Sequence, residues 1–286
     1  MDQLDPRFVQ SIVAYALAED LGPGDVTTNA VASAQAQAVG RIVVRQEGVV
    51  AGLPVARAVF AALADEVVFT ARVEDGARVK AGNVIGELAG PARALLSGER
   101  VALNFLQRLS GVATFTRRCV DAVAGTSAKV LDTRKTTPGL RLLEKYAVRV
   151  GGGMNHRFGL YDQVLIKDNH IRLAGGSIRT AVLKARALTG GRLAVEVEAE
   201  TLPQVREALE SGADIIMLDN MTDDAMREAV ALVRSWPLLP GRPRPQTEAS
   251  GGLTLARLPA VAALGVDRLP RRAHPQRPGA GYRDGY

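Results

Sequence analysis

Six basic residues recur beside short apolar runs along this chain. They are Arg100 in "SGERVALN", Arg134 and Lys135 in "DTRKTTPGLR", His156 and Arg157 in "GGGMNHRFGL", and Lys167 in "VLIKDNH". Acids follow in the same kind of setting: Glu196 and Glu198 in "LAVEVE", and Asp219 in "IIMLDN". Unpaired buried charges cost several kcal/mol, so fixed cations that share a pocket call for a ligand with several anionic groups. The arginine fork suits carboxylates and phosphates. Neighbouring carboxylates suit a hydrated Mg²⁺ or the hydroxyls of a sugar. "EASGG" precedes a helical pattern, so Ser250, Gly251 and Gly252 can turn free backbone N–H groups toward a phosphate. The set describes a pocket for a polyanion, a divalent metal and a phosphorylated sugar. Its order and spacing carry the reading, because each feature alone is common.

The elements that must position these groups can be read from periodicity. From about residue 128, short apolar runs ("KVLDTR", "VLIKDN", "LAVEVE", "IIMLDN", "TEASGG", "GVDRL") are mostly separated by helical patterns such as "GLRLLEKYAV", "IRTAVLKARALT", "LPQVREALESG", "DDAMREAVALV" and "LARLPAVAALG". That alternation predicts parallel strands joined by crossover helices. Nearly every run ends in a polar cluster, and a β/α barrel gathers its C-terminal strand ends at one mouth. The first hundred residues mix a helix, "RFVQSIVAYALAED", with short strands in "GRIVVRQEGVVAG" and "EVVFTARVEDGARV". Turns are expected at Gly48 and at Asp75-Gly76. "ARALLSGERVALNFLQRLSG" reads as helix, interrupted near Ser97-Gly98. "VEDGARVKAGNVIGEL" resembles a lipoyl-type hairpin, but Lys80 lies within the repeat instead of at an exposed tip, which argues against a carrier module.

Composition removes several classes. The 286 residues carry a net charge of +6, but the segment from Arg268 onward holds five arginines against Asp284, so most of the excess sits in the tail. Aromatics are 4%, leaving few stacking platforms, and nucleic acid is not expected as a partner. No apolar run approaches a membrane span, and "MDQLDPRF" lacks a signal pattern. The single cysteine, Cys119, lies on an apolar helical stripe and reads as a packing thiol, with a cytoplasmic setting expected.

"EDLGPGDVTT", "NFLQRLSGVAT", "DTRKTTPGLR", "EKYAVRVGGGMNHRFGLYDQVLIKDNH", "EVE", "IMLDN" and "EASGG" together resemble the quinolinate phosphoribosyltransferases, in order, over residues 7 to 267. The resemblance implies an N-terminal α/β sandwich-like domain over residues 1–112. It implies an incomplete seven-stranded α/β (TIM-like) barrel over residues 113–268. It also implies a homodimer with shared active sites, with hexamers among relatives of the fold. On this resemblance Arg100 reaches into the partner's site, and Thr133, Arg134 and Lys135 contact substrate, Lys135 with a catalytic role. His156, Arg157 and Lys167 hold the dicarboxylate. Glu198 and Asp219 serve the ribose and the metal, Mg²⁺, directly or through water, and count among the catalytic residues. Ser250, Gly251 and Gly252 form half of the 5-phosphate cradle. The implied reaction joins quinolinate and phosphoribosyl pyrophosphate, with loss of CO₂. Other readings are a phosphoribosyltransferase for a related pyridine acid, and an inactive or weakly active anion-binding homologue.

The ending departs from the family. Where relatives continue as "VGALTHS" and complete the cradle, residues 269–286 read "LPRRAHPQRPGAGYRDGY". Pro270 denies a strand its ladder donor. Back-translation of "RRAHPQRPGAGYRDGY" with GC-rich codons, read one nucleotide on, gives "GALTHSAPALDIGMD". A frameshift after about Arg268 accounts for the tail and would remove half the phosphate cradle.

Overall fold

A computed structural model describes residues 4–237 and 241–271. The described backbone divides into two compact units: one of residues 4–117 together with Thr137–Gly152, the other of Arg118–Thr136 with the described residues from Gly153 to Arg271.

In the first unit α1 (Pro6–Leu21) and α2 (Val26–Val31) start at capping aspartates: Asp5 accepts from the Arg7 N–H, and Asp25 from the Thr28 N–H at 2.9 Å. Strands β1 (Gln37–Val43) and β2 (Gly48–Val49) precede α3 (Leu53–Ala61), and β3 (Val68–Ala71), β4 (Arg78–Val79) and β5 (Val84–Pro91) follow. β5 pairs antiparallel with β1 and β3, and β2 pairs with β4. Because β4 joins β2 and not β5, the lipoyl-like stretch is no two-strand hairpin with Lys80 at its tip. Gly48 stands inside β2, not in a turn: a Cβ there would lie 2.7 Å from Thr114 Oγ1, so the close approach of Thr114 claims it. The expected turn at Asp75-Gly76 is present, with Gly76 at φ +97°. Asp75 also accepts from the Gly52 and Leu53 N–H groups at the start of α3, where Gly52 offers no capping side chain.

The long helix α4 (Ala92–Ala122) runs without interruption through Ser97 and Gly98, and through the boundary expected at residue 112. Gly98 is explained by packing: a Cβ would lie 2.8 Å from Leu63 Cδ1 and 3.0 Å from Phe60 Cδ1. Its helix penalty of about 1 kcal/mol is thus offset by close contact with α3. α5 (Arg141–Val150) adds Leu143, Ala147 and Val148 to a core with Val55, Phe60, Leu106 and Leu109. Cys119, on the C-terminal end of α4, is buried, and burial pushes its thiol pKa up.

The second unit is a parallel sheet in the order β6 (Lys129–Leu131), β11 (Arg268–Pro270), β10 (Gln246–Ser250), β9 (Ile215–Asp219), β8 (Val195–Ala199) and β7 (Val164–Ile166). All six predicted runs are strands. An isolated parallel bridge between Leu131 and Met154 adds a seventh position beside β6. Helices α6 (Asp168–Leu173), α7 (Ile178–Thr189), α8 (Leu202–Glu210), α9 (Asp223–Ser235) and α10 (Leu258–Ala263) lie between successive strands in the chain. Alternation sorts the sheet faces: Val195, Val197, Ala199, Ile216, Leu218 and Ala249 are buried on one side. Register aligns Glu198, Met217, Glu248 and Arg268 on the other.

β11 forms despite Pro270. The Arg271 N–H donates to the Leu131 carbonyl at 2.8 Å, so by alternation the proline nitrogen faces β10. On that side the ladder has the single pair Glu248↔Arg268, against three pairs with β6. The tail beyond Arg271 lies outside the described residues.

Candidate active site

The strand ends of the second unit carry the expected groups. Thr133, Arg134 and Lys135 occupy the loop after β6, where the Lys135 N–H donates to Thr133 Oγ1 at 3.1 Å. Arg134 and Lys135 differ in exposure, half-buried against exposed. Arg157 is half-buried, and its guanidinium pKa is pushed down, first by burial and next by the positive charge of Arg134. The two guanidiniums are thus near enough to repel one another.

Lys167 follows β7 and sets its Nζ 3.2 Å from Glu198 Oε1 and 3.4 Å from Oε2. Burial lifts the Glu198 carboxyl pKa, Lys167 pulls it back, and Asp219 raises it further, so the two acids at the ends of β8 and β9 feel each other. Asp219 Oδ2 accepts from Asn220 Nδ2 at 2.6 Å. Asn220 itself takes φ +53°, and its N–H donates to the Ser250 carbonyl at 3.1 Å. Against it lies Gly251 at φ +88°, where a Cβ would stand 2.1 Å from Asn220 Oδ1. Glycine is thus required twice over, by its dihedral and by the approach of the neighbouring loop. Ser250, Gly251 and Gly252 thereby bring open backbone beside the acids.

Beneath these groups is a buried ionic assembly. His156 Nε2 lies 3.0 Å from Glu196 Oε2 and 3.4 Å from Glu248 Oε1. Arg268 Nε donates to Glu248 Oε2 at 2.8 Å, and Gln163 Nε2 to Glu196 Oε2 at 2.5 Å. Both glutamates have 0% exposure. Burial opposes charge on His156, but the two carboxylates outweigh it and lift its pKa to about 9. The Arg157 N–H pulls the other way: it donates to His156 Nδ1 at 2.7 Å, and an accepting nitrogen carries no proton. That contact fixes the tautomer, Nδ1 bare and Nε2 protonated toward the acids. Burial resists the charge on Glu248, yet His156 and Arg268 hold its pKa low. On the backbone side, the His156 N–H donates to Asp132 Oδ1 at 2.9 Å. Donor atoms of His156, Glu196 and Glu248 fall within 4.8 Å of one another and could hold a metal ion.

Two family profiles match the sequence: the C-terminal domain of quinolinate phosphoribosyl transferase over residues 112–276, and its N-terminal domain over residues 25–110. The chain belongs to the quinolinate phosphoribosyl transferase family. Among the family's curated members, the probable nicotinate-nucleotide pyrophosphorylase (carboxylating) of Bacillus subtilis is 47% identical over 261 residues, covering 91% of this chain and 87% of the relative. Quinolinate phosphoribosyltransferase (decarboxylating) 1b of Nicotiana tabacum is 38% identical, covering 90% of this chain and 76% of its own. The crystal structure of NadC from Streptococcus pyogenes superposes with a TM-score of 0.89 at 41% identity, covering 95% of this chain and 93% of that one.

Of the residues expected from the second unit, Glu196 lies inside β8, and the others fall at strand ends or in the loops beside them. Arg100 belongs to the first unit, where it is exposed on α4. Gln163, Glu248 and Arg268 were missed. Strand alternation was the available signal, because "QTEAS" puts Glu248 on the same face as Ser250. Asp132, 1% exposed and bonded to the His156 amide and the Asn155 side chain, was also missed.

Proposed function

We propose that this chain transfers the phosphoribosyl group of phosphoribosyl pyrophosphate to quinolinate, releasing pyrophosphate, CO₂ and nicotinate mononucleotide for NAD biosynthesis. The reading is supported most directly by the neighbouring guanidiniums of Arg134 and Arg157, whose mutual repulsion a dicarboxylate would relieve. Nicotinate, with one carboxylate, would offset less of that repulsion.

The residues divide the work by charge. Thr133, Arg134 and Arg157, with Lys167, hold the pyridine so that its nitrogen faces the anomeric carbon of the sugar. Ser250, Gly251 and Gly252 anchor the 5-phosphate through backbone N–H groups. The nitrogen's electron pair forms the new C–N bond while the C–O bond to pyrophosphate breaks, its electrons leaving with the pyrophosphate. Glu198 and Asp219 favour the positive charge that grows on the ribose ring meanwhile. Lys135 offers its charge to the departing phosphates. The ring nitrogen, now quaternary, stabilises by its positive charge the carbanion left on the adjacent carbon when the 2-carboxylate departs as CO₂, and that carbon's electron pair then takes a proton from water.

Glu198 and Asp219 are hard oxygen donors whose mutual repulsion a divalent cation would relieve, so they fit Mg²⁺. When bound, Mg²⁺ would neutralise pyrophosphate charge. The buried His156 group suits it less, with the Arg268 guanidinium already on Glu248 at 2.8 Å. Arg100 is assigned to the site of a partner subunit in a homodimer, the N-terminal domain to residues 1–112 and the barrel to 113–268. The single, buried Cys119 fits a cytoplasmic setting. Among the described residues no helix is long and apolar enough to cross a membrane.

Competition calorimetry tests the substrate choice. Quinolinate should displace nicotinate, with at least about tenfold higher affinity from one additional charge-assisted contact. Equal affinities would overturn the dicarboxylate assignment.

A further inference from the structure

The buried assembly forms a continuous path from the last strand to a substrate-facing arginine. Arg268 on β11 donates to Glu248 Oε2 at 2.8 Å, and the other oxygen of Glu248 lies 3.4 Å from His156 Nε2. Glu196, steadied by Gln163, takes the same imidazole nitrogen at 3.0 Å. At the opposite side of the ring, Nδ1 accepts the N–H of Arg157 at 2.7 Å. Both ring nitrogens are therefore engaged by protein, and the side chain is only 7% exposed. Its orientation decides where the Arg157 amide, and with it the root of the Arg157 side chain, is held.

We propose that Glu248 and Arg268 are positioning residues: they orient the His156 ring, which in turn fixes the backbone from which Arg157 meets the dicarboxylate. The proposal rests on the quinolinate reading and extends it to groups that touch no substrate. Charge accounting supports it. Glu248 and Arg268 neutralise one another, so the pair contributes orientation without adding net charge to the pocket. Among the described residues, Glu248 Oε1 also has no hydrogen bond of full geometry, only the longer approach to His156. Its position is thus set from the Arg268 side.

Removing one partner would leave a buried charge alone and endanger folding, whereas removing both leaves a neutral, similar volume. The decisive variant is therefore the double substitution Glu248→Gln with Arg268→Met, with Arg268→Lys as the conservative control. In the double variant the quinolinate KM should rise at least about tenfold, for loss of one oriented charge-assisted contact. The KM for phosphoribosyl pyrophosphate should change less than about twofold, since the glycine turn and the acids at the mouth are untouched. Arg268→Lys should restore part of the quinolinate affinity. The chain has three histidines, so ¹⁵N spectra of the imidazoles can be assigned by comparison with a His156→Asn variant. Above the pH at which the ring loses its charge, wild type should show a bare Nδ1 and a protonated Nε2, and the double variant a mixture of tautomers. A folded double variant with unchanged quinolinate KM and an unchanged His156 spectrum would overturn the proposal. Should wild type fail to bind quinolinate by calorimetry, the substrate reading falls, and the spectrum alone decides the positioning: no change in the variant overturns it.

Discussion

Lys167 shows how a single side chain can matter for binding and little for folding. Its Nζ reaches Glu198 at 3.2 Å, but the lysine side chain is 46% exposed, and such a pair contributes about 0–1 kcal/mol to stability. A charge-assisted contact to a bound carboxylate is worth about 1.5–3 kcal/mol. Lys167→Ala is therefore expected to raise the quinolinate KM by about tenfold or more while the melting temperature stays within a few degrees. A normal KM in steady-state kinetics would remove Lys167 from the substrate site. Lys167, Glu198, Asp219 and Gly251 were legible because each ends or follows an apolar run. Glu248 and Arg268 were not, because what gives them meaning is His156, far away along the chain and brought near only by the sheet.

At the scale of elements, hydrophobic patterning was a dependable guide wherever an element buries one side. The runs "VEVEA" and "IIMLD" are short and almost wholly buried, as strands of a parallel sheet are, and they appear as β8 and β9. It failed at α4, because a glycine reads locally as a break while its value here lies in the neighbour it admits. Phe60, 2% exposed, and Leu63 pack where a side chain at residue 98 would project. Gly98→Val should cost about 1–3 kcal/mol through overpacking, outweighing any gain in helix propensity. Calorimetry would show a lower melting temperature. An unchanged or higher one would mean that α3 can move aside, and that the glycine is incidental. At β11 local chemistry and topology meet: Pro270 is tolerated because its missing N–H faces β10, where the ladder ends after Arg268. Sequence reasoning identified the lost donor but not the side it would fall on.

At the scale of the whole molecule, the charged strand ends belong to the second unit and Arg100 to the first, and the sequence after Arg268 reads unlike the ending expected from the family resemblance. If the backbone after β11 supplies the second half of the phosphate cradle, its loss should weaken the sugar phosphate and spare the dicarboxylate. Replacing residues 271–286 with "GALTHSAPALDIGMD" is accordingly expected to lower the KM for phosphoribosyl pyrophosphate several-fold and leave that for quinolinate unchanged. Equal constants for both chains would show that the ending is irrelevant to the cradle. The central claim is tested most directly by measuring pyrophosphate and nicotinate mononucleotide formed from quinolinate and phosphoribosyl pyrophosphate with Mg²⁺, using the full chain. The account predicts release of both in equal amounts, dependent on quinolinate and suppressed by Arg134→Ala. No product, together with no binding of quinolinate, would contradict it.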